Sequence, residues 1–145
     1  MTKQMLTENN IELHQSFETK EQAIRQVGQI LLDNGYIKET YINKMLEREA
    51  LVSTYMGNYL AIPHGTEDAK TEVVETGLSV VTVPDGIDFG DGNEVRVLIG
   101  IASQKDEHLE ILSQIAIICS EVENVEKLVN ASKAAEVIDL LQEVN

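Results

Sequence analysis

Val95-Arg96-Val97-Leu98-Ile99-Gly100-Ile101-Ala102 is apolar on alternate residues and, from Val97 onward, on every residue. Such a run reads as a central strand covered on both faces, and a strand buried on both faces needs helices above and below it. It is far too short to cross a bilayer, which takes about 20 apolar residues. On its C-terminal side the helical period returns. Leu109, Leu112, Ile115, Ala116 and Cys119 form one stripe, opened by Asp106 and Glu107, where a helix N-terminus favours negative charge. Two shorter helices are expected over residues 122–130 and 132–144, the second capped by Ser132. On the N-terminal side, Asp91-Gly92 marks a turn. Residues 77–83 read as a strand stopped by the turn Pro84-Asp85-Gly86, and residues 59–62 as a short strand closed by Pro63 and Gly65. Further back, Thr19 with Gln22 offers a capping box to a helix carrying Ala23, Ile24, Val27, Ile30 and Leu31, ended by Gly35 in a left-handed cap. A second helix is expected over residues 40–50, with Tyr41, Ile42, Met45 and Leu46 on its apolar face and Lys44, Glu47 and Arg48 on its polar face.

This order predicts an α/β fold: one domain spanning residues 1–145, with helices on both faces of a small, mixed or mostly parallel sheet. The length suits a single core. The chain has 11 basic and 25 acidic residues, a formal charge of −14. That excludes nucleic acid and an anionic membrane surface as natural partners and favours a basic partner protein. A single cysteine, Cys119, excludes an internal disulfide and a Cys-rich zinc site, and its apolar neighbours make it a core thiol. The first ten residues lack the apolar segment of a secretory signal, so a cytoplasmic protein is expected.

No phosphate-binding glycine loop, nucleotide fingerprint or serine elbow is present, and no cofactor is expected. Three histidines remain. His14 lies in a polar N-terminal segment and reads as a surface residue. His64 is held in Ala61-Ile62-Pro63-His64-Gly65-Thr66. Pro63 fixes its own φ and biases Ile62 to an extended backbone, while Gly65 removes a side chain on the other flank. The imidazole therefore leaves a strand end on rigid backbone, with Thr66 placed to donate a hydroxyl or cap the turn that follows. His108 stands in the first turn of the long helix, flanked by Leu109 and Leu112 that are expected to face the core, near free backbone N–H groups that favour an anion. Each histidine equally reads as a locally bonded or exposed residue. Two chemistries fit the pair. One is a metal site with a carboxylate such as Asp106, although no close ligand spacing supports it. The other is phosphoryl carriage, in which a neutral imidazole attacks phosphorus and a second imidazole, the helix N-terminus and an arginine such as Arg48 steady the oxygens.

Leu46-Glu47-Arg48-Glu49, Tyr59-Leu60-Ala61-Ile62-Pro63-His64-Gly65-Thr66 and Glu107-His108-Leu109-Glu110-Ile111-Leu112 together resemble the enzyme IIA components of the bacterial phosphoenolpyruvate-dependent sugar phosphotransferase system. The resemblance lies within the fructose–mannitol superfamily, is nearest to its mannitol type, and extends over essentially the whole chain. It implies a mixed sheet of about five strands flanked by helices. It also implies that His64 is the phosphorylated histidine, His108 a second active-centre histidine and Arg48 an arginine beside them. The implied donor is the phosphocarrier protein HPr, and the implied acceptor is a cysteine on the enzyme IIB domain of the mannitol permease. The chain would be a free-standing component. Because both substrates are then protein surfaces, a shallow, partly apolar patch around His64 is expected, with Met56, Tyr59 and Leu60 in it.

Overall fold

A computed structural model describes residues 4–104 and 107–142, with Glu107 and His108 placed by backbone alone. Five strands form one mixed sheet in the order β1-β4-β5-β3-β2. They are β1 (Ile11–Glu12), β2 (Tyr55–Gly57), β3 (Leu60–Ala61), β4 (Gly77–Asp88) and β5 (Glu94–Ala102). Five α-helices accompany them: α1 (Lys20–Asp33), α2 (Thr40–Leu51), α3 (Glu107–Cys119), α4 (Val122–Asn130) and α5 (Ala134–Leu140). The pairs β1–β4 and β3–β5 are parallel, while β4–β5 and β2–β3 are antiparallel, so half of the junctions are parallel.

β5 is central and covered on both faces, as its run of apolar residues requires. Leu98 and Ala102 pack with Ala23, Ile24 and Val27 of α1 and Met45 of α2. Val97, Ile99 and Ile101 pack with Ile111, Ile115 and Cys119 of α3 and with α4 and α5. Residues one apart point to opposite faces of a strand, so an unbroken apolar run feeds two cores.

The caps follow local chemistry. Thr19 accepts from the Gln22 N–H at 3.2 Å, and the Gln22 side chain reaches back to the N–H of Glu18 at 2.9 Å. At the other end of α1, Gly35 takes φ 81°, with Tyr36 N–H bonded to the Leu31 carbonyl at 2.9 Å and Gly35 N–H to Leu32 at 3.1 Å. These are the paired bonds of a Schellman cap. Asp91 and Gly92, at φ 55° and 78°, form the tight β4–β5 turn expected for them.

Three local expectations need correction. Pro84-Asp85-Gly86 does not end the strand. It lies in a bulge of β4, where the register jumps from Thr82 opposite Val97 to Ile87 opposite Val95. Proline is tolerated there because a bulge releases its missing N–H from the ladder, and Gly86 supplies φ 82°. Leu109 is 71% exposed: the buried side of α3 is Ile111, Ile115 and Cys119, and Leu109 stands roughly 200° around the helix from Ile111. Ser132 is not a cap, since the last helix starts at Ala134 and the Ser132 hydroxyl bonds the Glu136 carboxylate at 3.1 Å. The strands β1 and β2 were not anticipated.

Candidate functional site

β3 and β5 run parallel, and His64 continues the line of β3 opposite Ile101, with Ile101 N–H bonded to the Pro63 carbonyl at 2.9 Å. At the next step the ladder is opened by a side chain. The Tyr41 hydroxyl accepts from Gly65 N–H at 2.9 Å and donates to the Ile101 carbonyl at 2.9 Å, standing where a direct strand-to-strand bond would otherwise form. The chain after His64 parts from β5 at this wedge and enters the 3-10 turn Glu67–Glu72. Burial pushes the Tyr41 phenol up to about 12, although the Gly65 N–H acts in the opposite sense. The hydroxyl therefore remains a neutral donor and acceptor at any ordinary pH.

Gly65 thus has a purpose different from the one its sequence position suggests. The space beside it belongs to Tyr41: a Cβ on Gly65 would lie 2.6 Å from Cε1 and 2.9 Å from Cζ of that ring. Gly65→Ala is expected to push the ring aside, break the wedge and cost about 1–3 kcal/mol. Denaturant unfolding of the variant checks this, and unchanged stability would show that the ring has room to move.

The parting of the chains leaves a concavity of about 510 Å³, walled by Tyr41, Arg48, Leu51, His64, Ser103 and the turn Gly65–Asp68 with Lys70. His64 is only 8% exposed. Its Nδ1 lies 2.8 Å from the Ile62 carbonyl oxygen. A carbonyl only accepts, so in the neutral imidazole Nδ1 carries the proton and Nε2 carries the lone pair. Ile62 is fixed in turn, its N–H bonded to the Thr54 carbonyl at 3.1 Å.

Thr54 is held by a buried carboxylate that sequence reasoning missed. Glu49 Oε1 accepts from the Thr54 N–H at 2.8 Å and the Thr54 hydroxyl at 2.7 Å, and Oε2 pairs with Lys20 Nζ at 3.3 Å. Burial alone would raise the Glu49 carboxyl. Hydrogen bonds from Ser53, Thr54 and Lys20 together outweigh it and hold the group below the usual carboxylate range. The helical spacing from Ile42 and Met45 places Glu49 on the covered face of α2, but its partners, Lys20 of α1 and Ser53 and Thr54 of the loop beyond the helix, are set by the fold.

Arg48, in the last turn of α2, reaches the same concavity as His64 and donates from Nη1 to the Val52 carbonyl at 2.5 Å. Thr66 precedes the 3-10 turn, but its hydroxyl donates to the Asp68 carboxylate and caps no backbone group. That bond, and then Lys44 at 3.6 Å, hold Asp68 below its ordinary value. His14 is exposed, with its N–H on the Thr82 hydroxyl, away from the concavity. The side chain of His108 and all of Asp106 lie outside the described residues, so only the backbone of His108, in the first turn of α3, is placed. The apolar patch is also differently composed. Leu60 is buried, and neither Met56 nor Tyr59 lines the concavity; the exposed apolar residue that does is Leu51. Among the described residues no three His, Cys, Asp or Glu side chains come together as metal ligands, and no helix is long and apolar enough to cross a membrane.

Residues 4–144 match the family model described as phosphoenolpyruvate-dependent sugar phosphotransferase system, EIIA 2. The chain belongs to this enzyme IIA family. It is 59% identical over 145 residues to the mannitol-specific phosphotransferase enzyme IIA component of Geobacillus stearothermophilus, covering 100% of both chains. Its fold matches the crystal structure of IIA mannitol from Escherichia coli with a TM-score of 0.88 at 36% identity, covering 94% of this chain and 98% of that one. It likewise matches a complex of the Escherichia coli mannitol enzyme IIA with phosphorylated enzyme IIB, with a TM-score of 0.90 at 35% identity, covering 95% and 97%. The wedge, the concavity and the oriented imidazole are therefore features of an enzyme IIA phosphotransferase component.

Proposed function

We propose that this enzyme IIA carries a phosphoryl group on Nε2 of His64, taking it from phosphorylated HPr and passing it to the cysteine of a mannitol enzyme IIB on the cytoplasmic side of the permease. The observation that carries the reading is the 2.8 Å contact of His64 Nδ1 with the Ile62 carbonyl, which leaves the lone pair on Nε2. In the first step that lone pair attacks phosphorus as the nitrogen–phosphorus bond of the donor breaks, and the donor imidazole leaves with the bonding electrons. In the second, a thiolate attacks the same phosphorus and His64 leaves as a neutral imidazole. The proton stays on Nδ1 throughout, donated to the Ile62 carbonyl, and that hydrogen bond stabilises the positive charge that the ring gains on attack. Arg48, on the same wall, supplies a cation to the phosphoryl oxygens. His108, in the first turn of α3, is assigned the second imidazole that steadies the group during transfer.

The mannitol assignment follows the 59% identical relative and the matched enzyme IIB complex. The phosphorylated protein is expected to transfer to a mannitol enzyme IIB at least about tenfold faster than to a fructose enzyme IIB, the effect of ~1.4 kcal/mol across the interface. Transfer of radiolabelled phosphoryl group to each purified acceptor measures this. Equal rates would return the sugar to an open question, and no transfer to either would favour a module that senses HPr without serving transport.

A further inference from the structure

Buried hydroxyls in this chain are paired where no site needs them. The Ser79 hydroxyl donates to the Val27 carbonyl at 2.8 Å, that of Thr54 bonds Glu49 at 2.7 Å, and that of Thr82 accepts from His14 N–H at 2.8 Å. Ser103 is the exception. It is 7% exposed, yet among the described residues no group hydrogen-bonds its hydroxyl. A buried polar group without a partner is rare and calls for a reason. Its position supplies one. Ser103 is the first residue after β5, and it walls the same concavity as His64 and Arg48. His64 stands opposite Ile101 in the ladder, so Ser103 lies two residues further along, at the carboxyl edge the two parallel strands share.

We propose that the Ser103 hydroxyl is a catalytic contact that donates a hydrogen bond to the phosphoryl group on His64. The inference rests on the assignment of His64 as the carrier. A phosphoryl group there offers acceptor oxygens to a hydroxyl on the same wall, and a donor held by a buried backbone position needs little rearrangement when the charge arrives. Among the described residues the same hydroxyl has no partner, so the phosphoryl group offers it an acceptor that no described residue provides. The contact therefore shifts the equilibrium toward the carrier and does not merely hold the fold.

The test is the equilibrium with phosphorylated HPr, read by phosphorus-31 NMR on the whole chain, for wild type, Ser103→Ala and Ser103→Thr. Ser103→Ala is expected to lower the equilibrium constant for accepting the phosphoryl group about 10- to 100-fold, the range for a lost hydrogen bond to a charged group. Ser103→Thr, which keeps the hydroxyl, is expected to recover most of that loss. Thermal unfolding of unphosphorylated Ser103→Ala is expected to match or exceed wild type, because no described residue partners the hydroxyl removed. A wild-type equilibrium constant in Ser103→Ala overturns the proposal while leaving His64 as carrier. An equal loss in Ser103→Thr, or a lowered unfolding temperature in Ser103→Ala, also overturns it by making the residue a packing element. A wild-type chain that takes no phosphoryl group removes the carrier assignment, and this inference with it.

Discussion

His64→Ala is expected to take up no phosphoryl group from phosphoenolpyruvate, enzyme I and HPr, whereas the wild-type chain is expected to gain one that is labile to acid and stable to base. The loss is expected to be complete, because His108 is assigned to steady the group and not to carry it, and neither Cys119 nor His14 can stand in. Cys119 is buried in the α3 core, and burial pushes its thiol up to about 11, so it offers almost no thiolate at neutral pH. His14 is exposed at the far side of the sheet, on the Thr82 hydroxyl, with none of the concavity around it. The backbone that presents His64 survives the substitution: Pro63 still bonds Ile101, and the Tyr41 hydroxyl still bridges Gly65 and Ile101. A folded variant that does not label is therefore the expected result, checked by mass spectrometry of the intact chain beside a circular dichroism spectrum. Labelling that persists in His64→Ala would move the carrier to another residue.

Removal of the Glu49 carboxylate is expected to have the largest effect on stability and to reach His64 through hydrogen bonds alone. Three links connect them, Glu49 to Thr54, Thr54 to Ile62 and Ile62 to the His64 ring, and Lys20 pairs with Glu49 at the outer end. Glu49→Ala strands the Thr54 N–H and hydroxyl in a buried place, at about 1–3 kcal/mol for each donor that finds no new partner. A total of roughly 2–4 kcal/mol is expected from denaturant unfolding at neutral pH. Glu49→Gln keeps an acceptor and should lose less. The pH dependence separates charge from shape. The folded carboxyl lies below its unfolded value, so its ionisation contributes stability above the unfolded value, and that contribution is lost as pH falls through the folded one. The gap between wild type and Glu49→Gln should therefore be widest at neutral pH and narrow in acid. A gap that is the same at both would mean that the carboxylate acts only by filling space.

The sheet's central strand, the covered faces on either side of it, the caps of α1 and the rigid Pro63-His64-Gly65 presentation were all legible in the sequence. Each depends on residues within one turn or one strand of each other, where periodicity and fixed φ act directly. The edge strands were not legible. β1 has two residues and β2 has three, too short to show a period, and they exist only because β4 and β3 offer them ladder partners, whereas β3 lies inside the sheet and within the short strand expected over residues 59–62. The bulge at Pro84-Asp85-Gly86 reads locally as a stop, and it becomes a continuation only because Ile87 and Asp88 find Val95 and Glu94 again across the hairpin.

The site divides along the same line. His64 and Arg48 were visible as residue types in a suggestive order, but their meeting in one concavity depends on α2 packing against the sheet so that Tyr41 reaches Ile101, 60 residues away. The bonding of the Glu49 carboxylate, the hydroxyl of Ser103 that no described residue partners and the tautomer of His64 were decided by tertiary structure alone. Whether a carboxylate is buried, a hydroxyl satisfied or a ring nitrogen protonated depends on which donor or acceptor stands about 3 Å away, and chain folding, not sequence neighbourhood, chooses that atom.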